Sequence, residues 1–364
     1  MTQLLSWKAL FSISGLMLYG ICYYAIQKEV PFPKVTDRFR APPYKFYHFK
    51  INCSCINLIK NSTEISCFKT MKRNRTIYVK TMGRLGNVLF QVASAYAIAK
   101  DTDSQLAVVD TEHLKALESR PFRTITTTQW NDLNVNLVHG AHQLIDFERA
   151  YDTAVASSVK LVHSLQRFIY FGRCEHEIRQ KLALKSSVIK KAESTIANII
   201  KKHKNLISKN SSMSSIDSSS FNSTDFVTVG IHARRGDLTD RFWHTDGYRL
   251  PGISYFSNSM NYFKSEYSKV IFILATDDKP WAQQHLLQTG VYLSPLKSPA
   301  EDMALVSSCD NAIVSLGTFS WWAGFFNKGT VIYFKDWIAP NSNIWKRIEY
   351  IENERFPPYW LPMT

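Results

Sequence analysis

Apolar residues occur along this chain in distinct kinds of run, and each predicts a different element. Ala9 to Ile26, ALFSISGLMLYGICYYAI, is 18 residues without a charge. At ~1.5 Å per residue a helix of that length spans roughly 27 Å, enough for the hydrocarbon core of a bilayer. No small-x-small cleavage site follows, so the run reads as a transmembrane signal-anchor (9–26) behind a short cytoplasmic tail (1–8) rather than a cleaved signal peptide. Residues 27–75 are polar and carry Pro31, Pro33, Pro42 and Pro43, which predicts a luminal stem without ordered helix.

From Thr76 the pattern changes to short apolar runs alternating with helical periodicity. Ile77–Thr81 predicts a strand. Leu85, Val88, Leu89, Val92, Tyr96 and Ala99 recur at helical spacing, so the run after Gly86 predicts an amphipathic helix. Leu106–Val109 is the next strand; positions 111–170 predict no definite element. Glu177–Lys204 predicts one helix with a lysine-rich solvated face. Ser208–Thr224 has nine serines in 17 residues and predicts a mobile connection. A second alternation follows. Strands are expected at 226–231, 270–275, 291–293, 312–315 and 330–334, the last closing the sheet. Helices are expected near 255–267, from Pro280, from Ser298 and from Trp321. Ser298-Pro-Ala-Glu301 is a capping box with proline at the first helical position. The fold class is therefore α/β, with two units at 76–207 and 225–364 joined by 208–224.

Charge and cysteine usage sharpen this picture. The formal net charge is +14 with a pI near 9.4, which suits anionic ligands or a membrane surface. No zinc finger, aromatic RNA motif or basic zipper is present, so nucleic acid is not an expected partner. Asn52, Asn61, Asn74, Asn210 and Asn222 begin N-x-S/T sequons, which agrees with a glycosylated luminal domain. Of six cysteines, Cys22 lies in the expected span. The remaining five permit one or two disulfides of undetermined pairing, with Cys309 expected to be a buried free thiol. Cys53-Ser-Cys55 is too tight for zinc.

The candidate chemistry gathers where strands end. Val227–Asp237 is an apolar strand running into Arg234, Arg235, Gly236 and Asp237. In parallel α/β sheets ligands bind outside the carboxyl ends of strands. Arginine stays protonated, and its planar fork matches a pair of phosphate oxygens. Gly83-Arg84-Leu-Gly86-Asn87 links a strand to a helix amino terminus, and Gly317-Thr318-Phe319-Ser320 does the same in the second unit. Both are natural anion sites. Neither is a Walker loop or a dinucleotide fingerprint. Asp101-Thr-Asp103 resembles a DxD metal motif but sits at a helix carboxyl end, and reads as a solvated turn. Glu301 is accounted for by the capping box; Asp302 is free to meet a base or ribose. The inference from the residues is a diphosphate-containing ligand held without a metal.

Five motifs then carry a resemblance: MGRLGN, HARRGD, ATDD, SPAED and SLGTFSWWAGFF, in that order over residues 76–340. They are similar to those of the inverting α-1,2-fucosyltransferases, glycosyltransferase family 11. The resemblance implies two Rossmann-like domains (GT-B type) facing a donor/acceptor cleft and a single-pass type II Golgi membrane protein. It implies metal-independent transfer from GDP-β-L-fucose to the 2-hydroxyl of a galactose in a β-galactoside-type glycan, with no cofactor. Arg234 resembles the arginine that grips the donor pyrophosphate; Arg235 and Asp237 complete its motif. His232 and Asp302 resemble positions that meet guanine or ribose. Ser315, Thr318, Phe319 and Ser320 resemble the donor-phosphate loop, and Arg84, Gly86 and Asn87 the loop facing fucose and acceptor. The family commonly has glutamine where this chain has Val88. Asp237, Asp240, His244 and Asp246 are candidates for a general base, Asp237 being the one carried forward. The alternatives are a fucosyltransferase of another linkage or acceptor, a membrane-anchored nucleotide- or glycan-binding protein without turnover, and a metal-dependent enzyme using Asp101 and Asp103.

Overall fold

The computed structural model describes residues 75–139, 150, 152–162, 164–210, 226–348 and 352–364. The expected anchor, stem, four of the sequons (Asn52, Asn61, Asn74, Asn222) and Cys22, Cys53, Cys55 and Cys67 lie outside the described residues, as does most of the serine-rich stretch. All described residues belong to one compact unit, Ser66–Thr364. None of its described helices is long and apolar enough to cross a membrane.

Two all-parallel sheets organise this unit. The first contains β1 (Thr76–Val79), β2 (Gln105–Val109), β3 (Arg123–Ile125), β4 (Asn136–His139) and β5 (Val159–Val162), in the order β3-β2-β1-β5-β4. The second contains β6 (Val227–Ala233), β7 (Val270–Thr276), β8 (Val291–Leu293), β9 (Asn311–Val314), β10 (Val331–Phe334) and β11 (Leu361–Met363), in the order β11-β10-β9-β6-β7-β8. The chain leaves β6 toward β7 and β8, then returns to the other side as β9. The β6/β9 boundary is thus a switch point, where connections depart in opposite directions and leave a crevice. The β1/β5 boundary plays the same part in the first sheet. Central strands are buried on both faces, which explains why they read as unbroken apolar runs.

Several helices flank the sheets: α1 (Leu85–Asp101), α2 (Glu175–Lys181), α3 (Ser186–Asn210), α4 (Arg241–Asp246), α5 (Ile253–Glu266), α6 (Lys279–His285), α7 (Pro299–Ser308) and α8 (Thr318–Phe326). The single helix expected over 177–204 is instead α2 and α3. The break has a tertiary cause: Leu182 and Leu184 are buried, Leu184 bridges Leu117, and the Lys185 amide donates to Ala116 O. Three residues of the serine-rich stretch, 208–210, extend α3, with Asn210 its last residue. The second sheet does not close at β10, because β11 adds beyond it.

The two sheets share one core. A single cluster of buried residues runs from Ile77 and Leu89 through Phe90 and Phe171 to Trp321, Trp322, Phe325 and Trp360. Phe90 of α1 lies 4.6 Å from Trp321 and 5.3 Å from Trp322 of α8, ring centroid to centroid. Phe171 stacks on Trp322 at 5.8 Å. Polar ties reinforce this packing. Buried Arg167 pairs with Glu354 and donates to Ile348 O; Lys191 of α3 meets Glu301 of α7. Parting the halves would expose these aromatic rings, each worth ~1.5–3 kcal/mol of burial. The expected capping box at Ser298 and Glu301 forms with both bonds in place. Cys309 is a buried free thiol, as expected, and burial pushes it up to about 12; Cys174 is also free and buried. Such thiols are unreactive.

Candidate active site

The carboxyl ends of β6, β7 and β9 place the second unit's polar residues together. Arg234 and Arg235 follow β6; Asp277 and Asp278 follow β7, its parallel neighbour. Arg234 forms ion pairs with Asp237 and Asp277. The Arg235 amide donates to Asp277 Oδ1 (2.8 Å) and its Nε to Asp278 Oδ2 (3.2 Å), while its guanidinium lies 4.0 Å from the Trp281 ring centroid. Asp278 also caps α6 by accepting from the Trp281 amide. Gly236 has φ +31° and passes so close that an added Cβ would lie 2.5 Å from both Arg234 Nη1 and Asp277 Oδ2. Only glycine leaves that pair undisturbed.

Behind the arginines a hydroxyl chain ties β6 to β9. The Arg234 amide donates to Ser315 Oγ (2.8 Å), Ser315 and Ser320 hydroxyls are 3.2 Å apart, and Ser320 Oγ is 2.6 Å from His232 Nδ1. Ser320 donates its own proton to Leu316 O. The His232 ring is buried against Phe319, centroids 4.7 Å apart. Burial first, and then the neighbouring Arg234 charge, push it down to about 3, so it is neutral. Asp302 lies on α7 and accepts from Ser294 Oγ (2.7 Å); burial raises its carboxyl above the usual range, with the Ser294 bond opposing.

The first unit contributes α1. Its amino terminus and that of α8 meet head to head. A Cβ on Gly86 would lie 2.6 Å from both Thr318 C and Phe319 N, so glycine at 86 is what lets the two backbones touch. Thr318 Oγ1 donates to Asn87 Oδ1 (2.6 Å), which also accepts from Gln166 Nε2 (3.3 Å). Arg84 precedes α1 and meets Asp237 Oδ2 at 3.2 Å. Neither helix has a side-chain cap or an acidic residue in its first turn. First-turn amides have no partner within a helix, and each amino terminus carries about half a positive charge. Two such ends and the guanidiniums of Arg84 and Arg234 gather at one place, with Asp237 and Asp277 as the balancing anions. Burial, followed by repulsion from Arg84, lowers the Arg234 pKa from its ordinary value, and Asp237 opposes both. Arg234 remains charged. The side-chain charges balance, and the two helix ends leave an excess of about one positive charge there.

Sequence reasoning thus found Arg84, Gly86, Asn87, His232, Arg234, Arg235, Asp237, Ser315, Thr318, Phe319 and Ser320, and the structure brings these into one region. Asp302, on α7, accepts from Ser294 just beyond β8 and feels the charge of Lys279, beside Asp278, at the carboxyl edge of the same sheet. The ATDD motif held Asp277 and Asp278 without assigning them a role, and nothing pointed to Trp281 or Gln166. The acidic pair ends a strand that follows the arginine strand in the chain, a signal available in principle; nothing local marks Gln166. Of the other base candidates, Asp246 is held by Arg347 (2.5 and 3.3 Å) and Asp240 sits at the start of α4. Asp101 pairs with Arg173, and Asp103 takes a left-handed turn (φ +49°) before β2, the amino-terminal edge of the sheet. A surface hollow of about 510 Å³ beside Lys100, Asp103 and Arg123 lies at that same edge, away from Arg234 and Arg235. Among the described residues no three His, Cys, Asp or Glu side chains group as metal ligands.

A model of glycosyl transferase family 11 matches residues 49–361. The chain belongs to that family. It is a glycosyltransferase. Among similar proteins, the galactoside alpha-(1,2)-fucosyltransferase 2 of Oryctolagus cuniculus is 22% identical over 304 residues, covering 79% of this chain and 76% of its own length. That of Pongo pygmaeus is 24% identical over 298 residues, covering 78% and 77%. The galactoside 2-alpha-L-fucosyltransferase SEC1 of Bos taurus is 22% identical, covering 80% and 74%. Among solved structures, fucosyltransferase NodZ from Bradyrhizobium aligns at a TM-score of 0.42 and 15% identity, covering 75% of this chain and all of that one.

Proposed function

We propose that this family 11 glycosyltransferase moves L-fucose from GDP-β-L-fucose to the 2-hydroxyl of a galactose, with inversion and without a metal cofactor. The observation that carries the reading is the meeting of two uncapped helix amino termini at Gly86 and Thr318 beside Arg84 and Arg234. The names of the similar fucosyltransferases support the donor and linkage. The two sheets stand as two Rossmann-like units of the GT-B type, with the α1/α8 contact as the floor between them. An amino-terminal anchor at Ala9–Ile26 and luminal sequons suit a type II Golgi membrane protein.

The chemistry follows from charge. The bond from the fucose anomeric carbon to the phosphate oxygen breaks through an oxocarbenium-like state, and negative charge grows on the departing GDP. Arg234 and the first-turn amides of α8 are already oriented to receive it, which favours the transition state over the ground state. The galactose O2 attacks from the opposite face, so the β-linked donor gives an α-linked product. Its proton goes to a base. Asp237 is paired with Arg84 and Arg234. A diphosphate that takes those guanidiniums releases the Asp237 carboxylate beside the reacting centre, where it serves as that base. Ser315, Ser320 and His232 hold the Arg234 backbone in place, and Asp278 and Trp281 brace Arg235.

The test uses the full chain in detergent with GDP-fucose, EDTA and a panel of β-galactosides. The expected product is α-1,2-linked, forms in the presence of EDTA and disappears with Arg234→Ala. A product linked through another hydroxyl would retain the donor and refute the linkage. GDP binding with no transfer to any acceptor would support the non-catalytic binding protein instead.

A further inference from the structure

Two consecutive aspartates after β7 hold the two arginines after β6, and each divides its oxygens between two tasks. Asp277 gives Oδ2 to the Arg234 guanidinium and Oδ1 to the Arg235 amide (2.8 Å). Asp278 gives Oδ2 to Arg235 Nε (3.2 Å) and Oδ1 to the Trp281 amide in the first turn of α6 (3.1 Å). Asp277 therefore joins the two arginines to each other, and Asp278 joins the second arginine to a helix. The strand ends fix the backbone beneath them. Thr276 Oγ1 donates to Ala233 O (2.8 Å) and accepts from the Asp278 amide (3.0 Å). Ala233 and Thr276 are register partners in β6 and β7.

The cap at Asp278 also decides where the Trp281 ring stands. That indole lies against the Arg235 guanidinium, 4.0 Å from ring centroid to central carbon, where a cation is drawn to the negative face of the ring. The ring is packed in turn. It meets buried Phe256 of α5 edge-on at 6.0 Å and His285, one turn along α6, at 5.3 Å. A guanidinium is a rigid planar fork with five N–H donors. Asp278 takes the Nε donor and Trp281 covers one face, so the plane of Arg235 is set. What remains is the terminal edge with its two Nη groups, which meet no acceptor among the described residues. The Arg235 side chain is only 18% exposed, which is not the state of a solvated surface arginine.

We infer that Trp281 and Asp278 are positioning residues for donor binding: together they hold Arg235 with its terminal Nη edge presented to an oxyanion of the nucleoside diphosphate. This rests on the function proposed above and adds two residues to it, neither of which touches the ligand. The physical reason is entropic. A free arginine side chain has much rotamer freedom to lose when it binds. An arginine locked by a carboxylate and an indole has lost that freedom on folding, so less of it is charged against the ligand. One carboxylate serves both ends of the device, because the oxygen that caps α6 sets the ring and the other oxygen sets the cation beneath it.

The test measures GDP affinity by titration calorimetry, and Tm, on the full chain in detergent. Trp281→Leu keeps apolar bulk and loses the aromatic face; it is expected to weaken GDP binding roughly tenfold. Trp281→Phe keeps a flat ring and should recover most of that loss. Asp278→Ser keeps a good helix cap with a side chain too short to reach Arg235 Nε, and should also weaken GDP binding, with Tm near wild type. In an Arg235→Ala background Trp281→Leu should add no further loss, because the group it positions is gone. The same loss with and without Arg235 would overturn the inference and make Trp281 a packing residue of α6. Wild-type GDP affinity in Trp281→Leu, or in Arg235→Ala, would overturn it while leaving the donor reading to Arg84 and Arg234. A wild-type protein that binds no GDP would sink the donor reading, and this inference with it.

Discussion

The two strand-to-helix loops, Gly83–Asn87 and Gly317–Ser320, use the same device and differ in what surrounds it. Each follows a central parallel strand, turns at a glycine with positive φ (+83° at Gly83, +90° at Gly317) and opens a helix without a side-chain cap. The second is backed by buried polar groups: Ser315, Ser320 and His232 behind it, and Arg234 and Arg235 beside it, each held by an aspartate that follows β7. The first has one arginine, Arg84, with its side chain 72% exposed, and its acidic partner comes from the other unit. A site that must bind the same diphosphate at every turnover gains from rigid, prearranged orientation. A wall that meets a variable sugar needs exposed side chains. Under the proposed function, this difference suits the second sheet to the donor and the first to the acceptor wall.

Removing the charge at the second loop gives the largest expected effect. Arg234→Ala should lower kcat by ~10²–10³, while Arg84→Ala should act mainly through KM; equal losses in the two would erase the contrast. Next is Asp237→Asn, measured as a pH–rate profile. A base role predicts a loss of ~10²-fold or more in kcat and a flattened acid limb. A positioning role alone predicts a raised donor KM with the profile unchanged.

His232 probes the polar support of the second loop. Its folded pKa, about 3, lies below the ordinary ~6.5 of an unfolded chain. The folded state thus binds fewer protons, and stability falls as pH drops from ~6.5 toward ~3, by at most ~1.4 kcal/mol per pH unit from this group. Urea midpoints at pH 7, 6 and 5 should fall, and His232→Gln should fall less steeply. The smallest change concerns the contact between the loops. Gly86→Ala places a Cβ against backbone atoms at 2.6 Å and should cost about 1–3 kcal/mol, read as a lower Tm. An unchanged Tm would show that α1 and α8 part easily.

The second unit was legible because its residues obey local rules. Strands buried on both faces read as apolar runs, the Ser298 capping box marks its helix, and Arg234 follows a strand directly. The first unit was less so. Its β3, β4 and β5 fall within 111–170, and strands of three or four residues are too short to establish a period. The break between α2 and α3 is made by Leu184 bridging Leu117, a partner 67 positions away. The carboxylates that brace the arginines stood in the ATDD motif without a role for a related reason: Asp277 and Asp278 matter because β7 pairs beside β6.

What the sequence by itself determined is the alternation of strands and helices, the positions of both glycine turns, and the arginines at a strand end. These depend on neighbours a few residues apart. Only the tertiary structure decided that the two turns meet, that Gly86 is there for the backbone of Thr318 and Phe319, and that Phe90, Phe171, Trp321 and Trp322 fuse the units into one core. Those facts join residues more than 200 positions apart in the extreme case of Asn87 and Thr318. No local propensity encodes such a distance; it is fixed by which apolar faces the folded chain can bury together.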